Sequence, residues 1–195
     1  MKKALAGVFV ASLVSLMAVA ATAQNPHIQV YFNGNPTYNT YNATGENCKS
    51  PGTPQELYVV LRNWNMFVGG VEFSIQYPVA LFKLGETYVP NTLQIGSSDG
   101  PNGVAVAWNL PQNGFDDLLV LTAHAVWTSN CDCNAAPQPL VVRGRTYLND
   151  GSLSPVAVRW PDFAEIPGIG MTSLVCPDVV ATEETTWGGV KALYR

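Results

Sequence analysis

The stretch "ELYVVLRNWNMFVGGVEFSIQYP", residues 56–78, decides the fold class. Leu57, Val59 and Leu61 fall on one side of an extended chain, with Tyr58, Val60 and Arg62 on the other. A tight connection around "NMFVGG" leads into a second run, where Val71, Phe73, Ile75 and Tyr77 alternate with Glu72, Ser74 and Gln76. A side-chain period of two is the mark of β-strands. The clean alternation of the second run predicts an antiparallel strand with one face in a core and one in water.

The pattern continues outward on both sides. Toward the N-terminus, "HIQVYFNG" (27–34) alternates Ile28, Val30 and Phe32 and reads as a first strand. Between them, residues 35–56 are rich in Asn, Thr, Gly and Pro and read as a long ordered loop pinned by Cys48. Toward the C-terminus, "ALFKLGE" (80–86) reads as a corner. "TLQIGSS" (92–98) and "GVAVAWNL" (103–110) read as short strands around the turn chemistry of "SDGPNG". "DLLVLTAHAVW" (117–127) is apolar on both faces. A buried helix competes there, but the Val, Thr and Trp content favours a central strand covered on both sides. "PLVVRGRTYL", "SPVAVRW" and "TSLVC" supply three more strands, separated by "NDGS" and the Pro/Gly segment "PDFAEIPGIG". About nine strands with frequent turn signals predict an all-β chain, a two-sheet antiparallel β-sandwich, with a closed barrel as the competing architecture.

The first residues bear on compartment. Lys2 and Lys3 precede the apolar run "ALAGVFVASLVSLMAVA", and "ATAQ" places small residues, Ala21 and Ala23, where a signal peptidase reads them. This is the layout of a secretory signal peptide over residues 1–23, cleaved before Gln24. A retained anchor is the alternative, but the run is short of the roughly 20 residues a span needs. The expected divisions are a signal segment 1–23, a sandwich domain 24–180 and a tail 181–195. The expected mature protein spans no membrane and is secreted, periplasmic or at the cell surface. Without Lys2 and Lys3 it carries 8 basic against 14 acidic residues, a formal charge of −6. Nothing in that balance attracts nucleic acid.

"WTSNCDCNAAP" (127–137) holds two of the four cysteines. In an exported chain an even count points to disulfides. Cys131 and Cys133 stand on one side of an extended backbone and are too close to bridge each other without strain. Two bridges leaving this loop, one to Cys48 and one to Cys176, are expected, with either pairing open. A metal site would need further ligands, and His27 and His124 lack ligand spacing.

The segment from residue 56 to 127 resembles the front half of cohesin-like domains. Gly70, Phe73, Ile75, Tyr77, Pro78 and Leu81 follow the order G-x-x-F-x-I-x-Y-P and a following leucine. "GVAVAWNL" before "DLLVLTAHAVW" looks like the later cohesin pair of a small-residue strand and a long core strand. The resemblance implies a dockerin-binding type of β-sandwich, whose family binds partners through one sheet face. It carries over no contact residue, and the cysteines and tail have no place in it.

The chain carries no nucleophile elbow, zinc-protease motif, P-loop or dinucleotide fingerprint. His124 lies mid-strand between alanines, and the paired acids Asp116/Asp117, Asp162/Glu165 and Glu183/Glu184 lie in turns or termini, where solvated carboxylates are ordinary. No cofactor, metal or enzymatic activity is expected. The tryptophans at or near strand ends, Trp64, Trp108, Trp127 and Trp160, either plug the core or form a sugar-stacking platform; for a platform, Trp64 and Trp108 are the candidates, flanked by Asn63, Asn65 and Asn109. The ending "EETTWGGVKALYR" looks like endings of uncharacterised exported bacterial proteins, and Trp187, Val190 and Tyr194 would share one face of a short helix, as a docked tail or a recognition tail. The chain is thus expected to be an exported, non-enzymatic protein-binding or structural module. Its partner would be another exported protein or, in the alternative reading, a glycan held by exposed tryptophans.

Overall fold

The computed structural model describes residues 25–100, 102–134, 136–145 and 154–177. The expected signal segment 1–23 and the tail residues Trp187, Val190 and Tyr194 lie outside them. Among the described residues the elements are strands, apart from one 3-10 turn at Pro36–Tyr38. They are β1 (His27–Tyr31), β2 (Asn33–Asn35), β3 (Thr40–Ala43), β4 (Gly45–Glu46), β5 (Pro54–Arg62), β6 (Phe67–Gln76), β7 (Leu81–Tyr88) and β8 (Thr92–Gly96). There follow β9 (Val104–Asn113), β10 (Leu118–Trp127), β11 (Gln138–Arg143), β12 (Val156–Arg159), β13 (Glu165–Pro167), β14 (Ile169–Gly170) and β15 (Thr172–Val175).

They form the expected sandwich. The first sheet runs β14-β1-β5-β10-β7. The second runs β13-β12-β6-β11-β15-β4, with β9 on the other edge of β6 and β8 beyond it. The alternation read from the sequence fixes which faces meet. Leu57, Val59 and Leu61 of β5 pack in one core with Val71, Phe73 and Ile75 of β6, Val104 and Val106 of β9, and Leu121, Ala123, Ala125 and Trp127 of β10. Burying such side chains contributes roughly 1.5–3 kcal/mol apiece, the main force holding the sheets together.

Three segments depart from the sequence reading. The expected loop from residue 35 is not plain: β2, which begins at Asn33 beyond the end of β1, forms a hairpin with β3, and β4 pairs with β15. The hairpin lays Tyr41 over Tyr31, Tyr58 and Val60, closing a second, smaller cluster on the outer side of the first sheet. Next, "ALFKLGE" is no corner, because its first residues run into edge strand β7, paired with β10. Its polarity is inverted. Phe82 and Leu84 are exposed, while Lys83 and Glu86 are nearly enclosed. Finally, β10 is not covered on both sides throughout. A register shift between Leu119 and Leu121 lets both Val120 and Leu121 enter the core, and Thr122, His124 and Val126 stay half-buried on the outer face.

Candidate docking face and aromatic cleft

The two tryptophans proposed as a platform are buried: Trp64 is 4% exposed and Trp108 is 8% exposed. Trp64 lies in the β5–β6 connection between Asn63 (φ 59°) and Asn65 (φ 50°). Those asparagines supply the left-handed backbone of a tight connection, which asparagine tolerates well. The turn carries the indole into the core, where Nε1 donates to the His27 carbonyl at 3.2 Å. The ring lies against Gly168, where a Cβ would stand 2.5 Å from its edge. Trp108 follows Val104 and Val106 on the inward side of β9. Neither indole offers a face to a sugar.

The outward side of the same strands is a different surface. Cross-strand registry aligns Leu93, Ala107, Gly70 and Val158 in one row across β8, β9, β6 and β12. The next row is Ile95, Ala105, Glu72 and Val156. Directly paired residues project to one face, so both rows point away from the core. Leu93 is 66% and Ile95 62% exposed. The middle of the face is floored by glycine and alanine, flat enough for another backbone to approach.

At one end the face deepens into a cleft of about 250 Å³, lined by Gly69, Gly70, Ala107, Val158, Trp160 and Phe163, with Pro111, Asn109 and the edge of Trp108 opposite. Trp160 is 43% exposed and meets Phe163 edge-on at 5.1 Å between ring centres. The β12–β13 turn holds this pair: Arg159 bonds Asp162 through Nε and Nη2, the Trp160 backbone N–H donates to the Phe67 carbonyl, and the Phe163 backbone N–H donates to the Arg159 carbonyl. Sequence reasoning named Trp160 among strand-end tryptophans but did not select it. The available signal was the alternation of β12, in which Val156 and Val158 fall outward.

The cysteines pair as Cys48–Cys131 and Cys133–Cys176. The two bridges touch, with Cys48 Sγ 3.4 Å from Cys176 Sγ. Sulfurs of Cys48, Cys133 and Cys176 lie within 4.8 Å of one another, but each is bonded to another sulfur, which removes the thiolate a metal would need. His27 Nδ1 meets the Asn25 carbonyl at 2.9 Å, and His124 Nε2 meets Thr87 Oγ1 at 2.8 Å on the outer face of β10. Of the paired acids, Asp117 holds Arg62 at 2.5 Å, Asp116 accepts from the Asn113 amide at 2.9 Å and Asp162 holds Arg159. Among the described residues, none of these bonds joins a paired acid to a histidine. Glu183, Glu184 and "NDGS" lie outside the described residues.

Among solved structures, the chain resembles a cohesin module from a Clostridium perfringens family 33 glycoside hydrolase, with a TM-score of 0.53 at 11% identity over 78% of this chain and 96% of the module. It also resembles a type II cohesin domain from the cellulosome of Acetivibrio cellulolyticus, with a TM-score of 0.51 at 12% identity over 81% of this chain and 98% of that one. The fold is cohesin-like. The likeness spans nearly the full length of both cohesins. Neither protein-family models nor the curated proteins yield a match.

Proposed function

We propose that this chain is a non-catalytic docking module of the cell envelope or the extracellular space, binding an apolar surface of another exported protein through the outer face of its second sheet. The observation that carries the reading is the apolar face that the described residues leave exposed, running from Leu93 and Ile95 across Gly70 and Ala107 to Trp160. The first sheet, by contrast, has part of its outer face covered by the chain's own hairpin. Exposed contiguous apolar surface on a protein of low charge favours a partner that buries it. A half-exposed tryptophan beside a preformed cleft is the kind of side chain that dominates binding energy. The one acid within these two rows, Glu72, is already matched by Arg145, and Arg159 beside the cleft is matched by Asp162, so the face asks for an apolar partner more than a charged one. The cohesin-like fold supports this reading, since the two neighbours are modules of a larger enzyme and of a cellulosome. Export rests on the signal-type segment cleaved before Gln24 and on the two disulfides.

The test is a capture experiment with the mature chain as bait against envelope and secreted fractions. Wild type and a control altered on the opposite sheet, Phe82→Asp, should both retain a stoichiometric protein, and Ile95→Asp with Ala107→Glu should lose it. A partner held equally by the face variant, or no partner at all, would overturn the proposal.

A further inference from the structure

A second concavity lies on the outer side of the other sheet, away from the docking face. It measures about 380 Å³, within the roughly 300–1,000 Å³ range of small-molecule sites. Its floor is a column of β1: His27, Gln29 and Tyr31, two residues apart and therefore on one face. All three are buried although they point away from the core. Polar side chains are costly to bury unless bonded, so their pairing defines what each can still offer.

His27 Nδ1 faces the Asn25 carbonyl at 2.9 Å, an acceptor, which assigns the proton to Nδ1, and in that tautomer Nε2 is an acceptor. The Tyr31 hydroxyl donates to Gln29 Oε1 at 3.0 Å, which assigns the amide oxygen and leaves Gln29 Nε2 as a donor. Burial raises the pKa of both Tyr31 and Tyr41 above the usual tyrosine value, so the walls stay uncharged. Arg62 lies over the Tyr31 ring at 4.6 Å, but its charge is matched by Asp117 at 2.5 Å. An anion therefore finds no unmatched cation. A hydrocarbon ligand would have to cover the polar column without bonding it. What fits is a neutral ligand with hydroxyls on one side and C–H groups on the other, met by the Thr44 hydroxyl and by Ile169 and Met171, which also line the cavity.

We infer that this cavity is a saccharide subsite, taking one neutral sugar residue of a glycan, its hydroxyls bonded by His27, Gln29 and Thr44 and its apolar side laid on the exposed side chains of Ile169 and Met171. The subsite is independent of the docking face, and the alternative glycan reading thereby moves from Trp64 and Trp108 to a different sheet.

The mature chain would be titrated with glucose, galactose, N-acetylglucosamine and cellobiose, by calorimetry and by backbone amide shift mapping. At least one should bind saturably at millimolar concentration or below, with shifts centred on residues 27–31 and 41–44. Gln29→Ala and the milder Thr44→Val should each weaken it about tenfold, the scale of one lost hydrogen bond in a site, and Ile95→Asp should not. Absence of saturable binding by all four sugars would overturn the inference, as would shifts centred elsewhere. The mapping uses the unaltered chain, so a variant that fails to fold leaves the test intact.

Discussion

Lys83, Glu86 and Asp99 carry charge into the edge of the sandwich, where β7 of the first sheet meets the loop after β8. Lys83 Nζ bonds Glu86 Oε1 at 2.8 Å, Ser97 Oγ at 2.7 Å and the Asp99 carboxylate. Glu86 also accepts from Ser98 N–H at 3.1 Å, from the Ser98 hydroxyl and from Tyr88 O–H at 2.5 Å. Ser98 in turn accepts the Ile75 N–H at 2.6 Å, so the network ties β7 to β6 across the sandwich. Burial alone would raise the Glu86 pKa; the bonds from Lys83, Ser98 and Tyr88 and the Lys83 charge outweigh it and hold the carboxyl below its ordinary 4.5. Asp99 is likewise drawn below its ordinary 3.8 against the opposing effect of its burial, by Lys83 and Ser97. A carboxyl whose pKa is lowered in the folded state stabilises fully above its unfolded value and loses that contribution as pH falls through the folded one. The unfolding free energy should thus decline as pH drops below about 4.5. Glu86→Gln should flatten that decline in denaturant melts taken at a series of pH values; an identical slope in the two proteins would show that Glu86 is not linked to folding. The network was not legible in "ALFKLGE", because Ser97, Ser98 and Asp99, which enclose Lys83 and Glu86, come from a separate loop. The polarity of β7 is inverted, and inverted polarity reads as a turn. Trp64 misled in a related way: its asparagine neighbours signalled exposure but serve backbone geometry.

The Cys-Asp-Cys loop shows what an element can and cannot disclose. The double staple was legible, since neighbouring thiols on one side of a strand cannot bridge each other easily. The pairing was not, because Cys48 and Cys176 converge on the same spot and their own sulfurs lie 3.4 Å apart. Cys48–Cys131 spans 83 residues of sequence and Cys133–Cys176 spans 43. The chain-entropy model gives them about 4.5 and about 4 kcal/mol of stabilisation respectively. Digestion of the unreduced protein with a protease that cuts before aspartate separates Cys131 from Cys133 at Asp132. Mass spectrometry should then find the Cys131 fragment joined to Cys48 and the Cys133 fragment joined to Cys176. Crossed fragments would refute the pairing, and intact mass should rise by four hydrogens on reduction. The β2–β3 hairpin escaped the sequence reading for a compositional reason: Tyr41 is its buried side chain among Asn, Thr and Gly, so no apolar period announces it.

At the scale of the whole molecule, the period of two both built the fold and hid its surface. The alternation of β6 was read for the core, and Val71, Phe73 and Ile75 are buried as read. The outward positions of the same strand were read only as facing water, because a strand's sequence does not say whether its outer face stays bare. The consequence is sharp along β8, β9 and β6, where neighbouring residues belong to different worlds. Leu93→Asp and Ile95→Asp remove apolar groups that touch mainly solvent, and each should change the unfolding free energy by no more than about 0.5 kcal/mol. Phe73→Asp, on the inward side of β6, places a charge among fully buried side chains and should leave no folded protein at neutral pH. The pair of outcomes separates docking from folding. Chemical melts that find Leu93→Asp and Ile95→Asp as stable as wild type, with partner capture lost, place the apolar face outside the energetics of the sandwich. A large loss of stability from either would mean that the face is packed against something within the chain, and the docking proposal would fall with it.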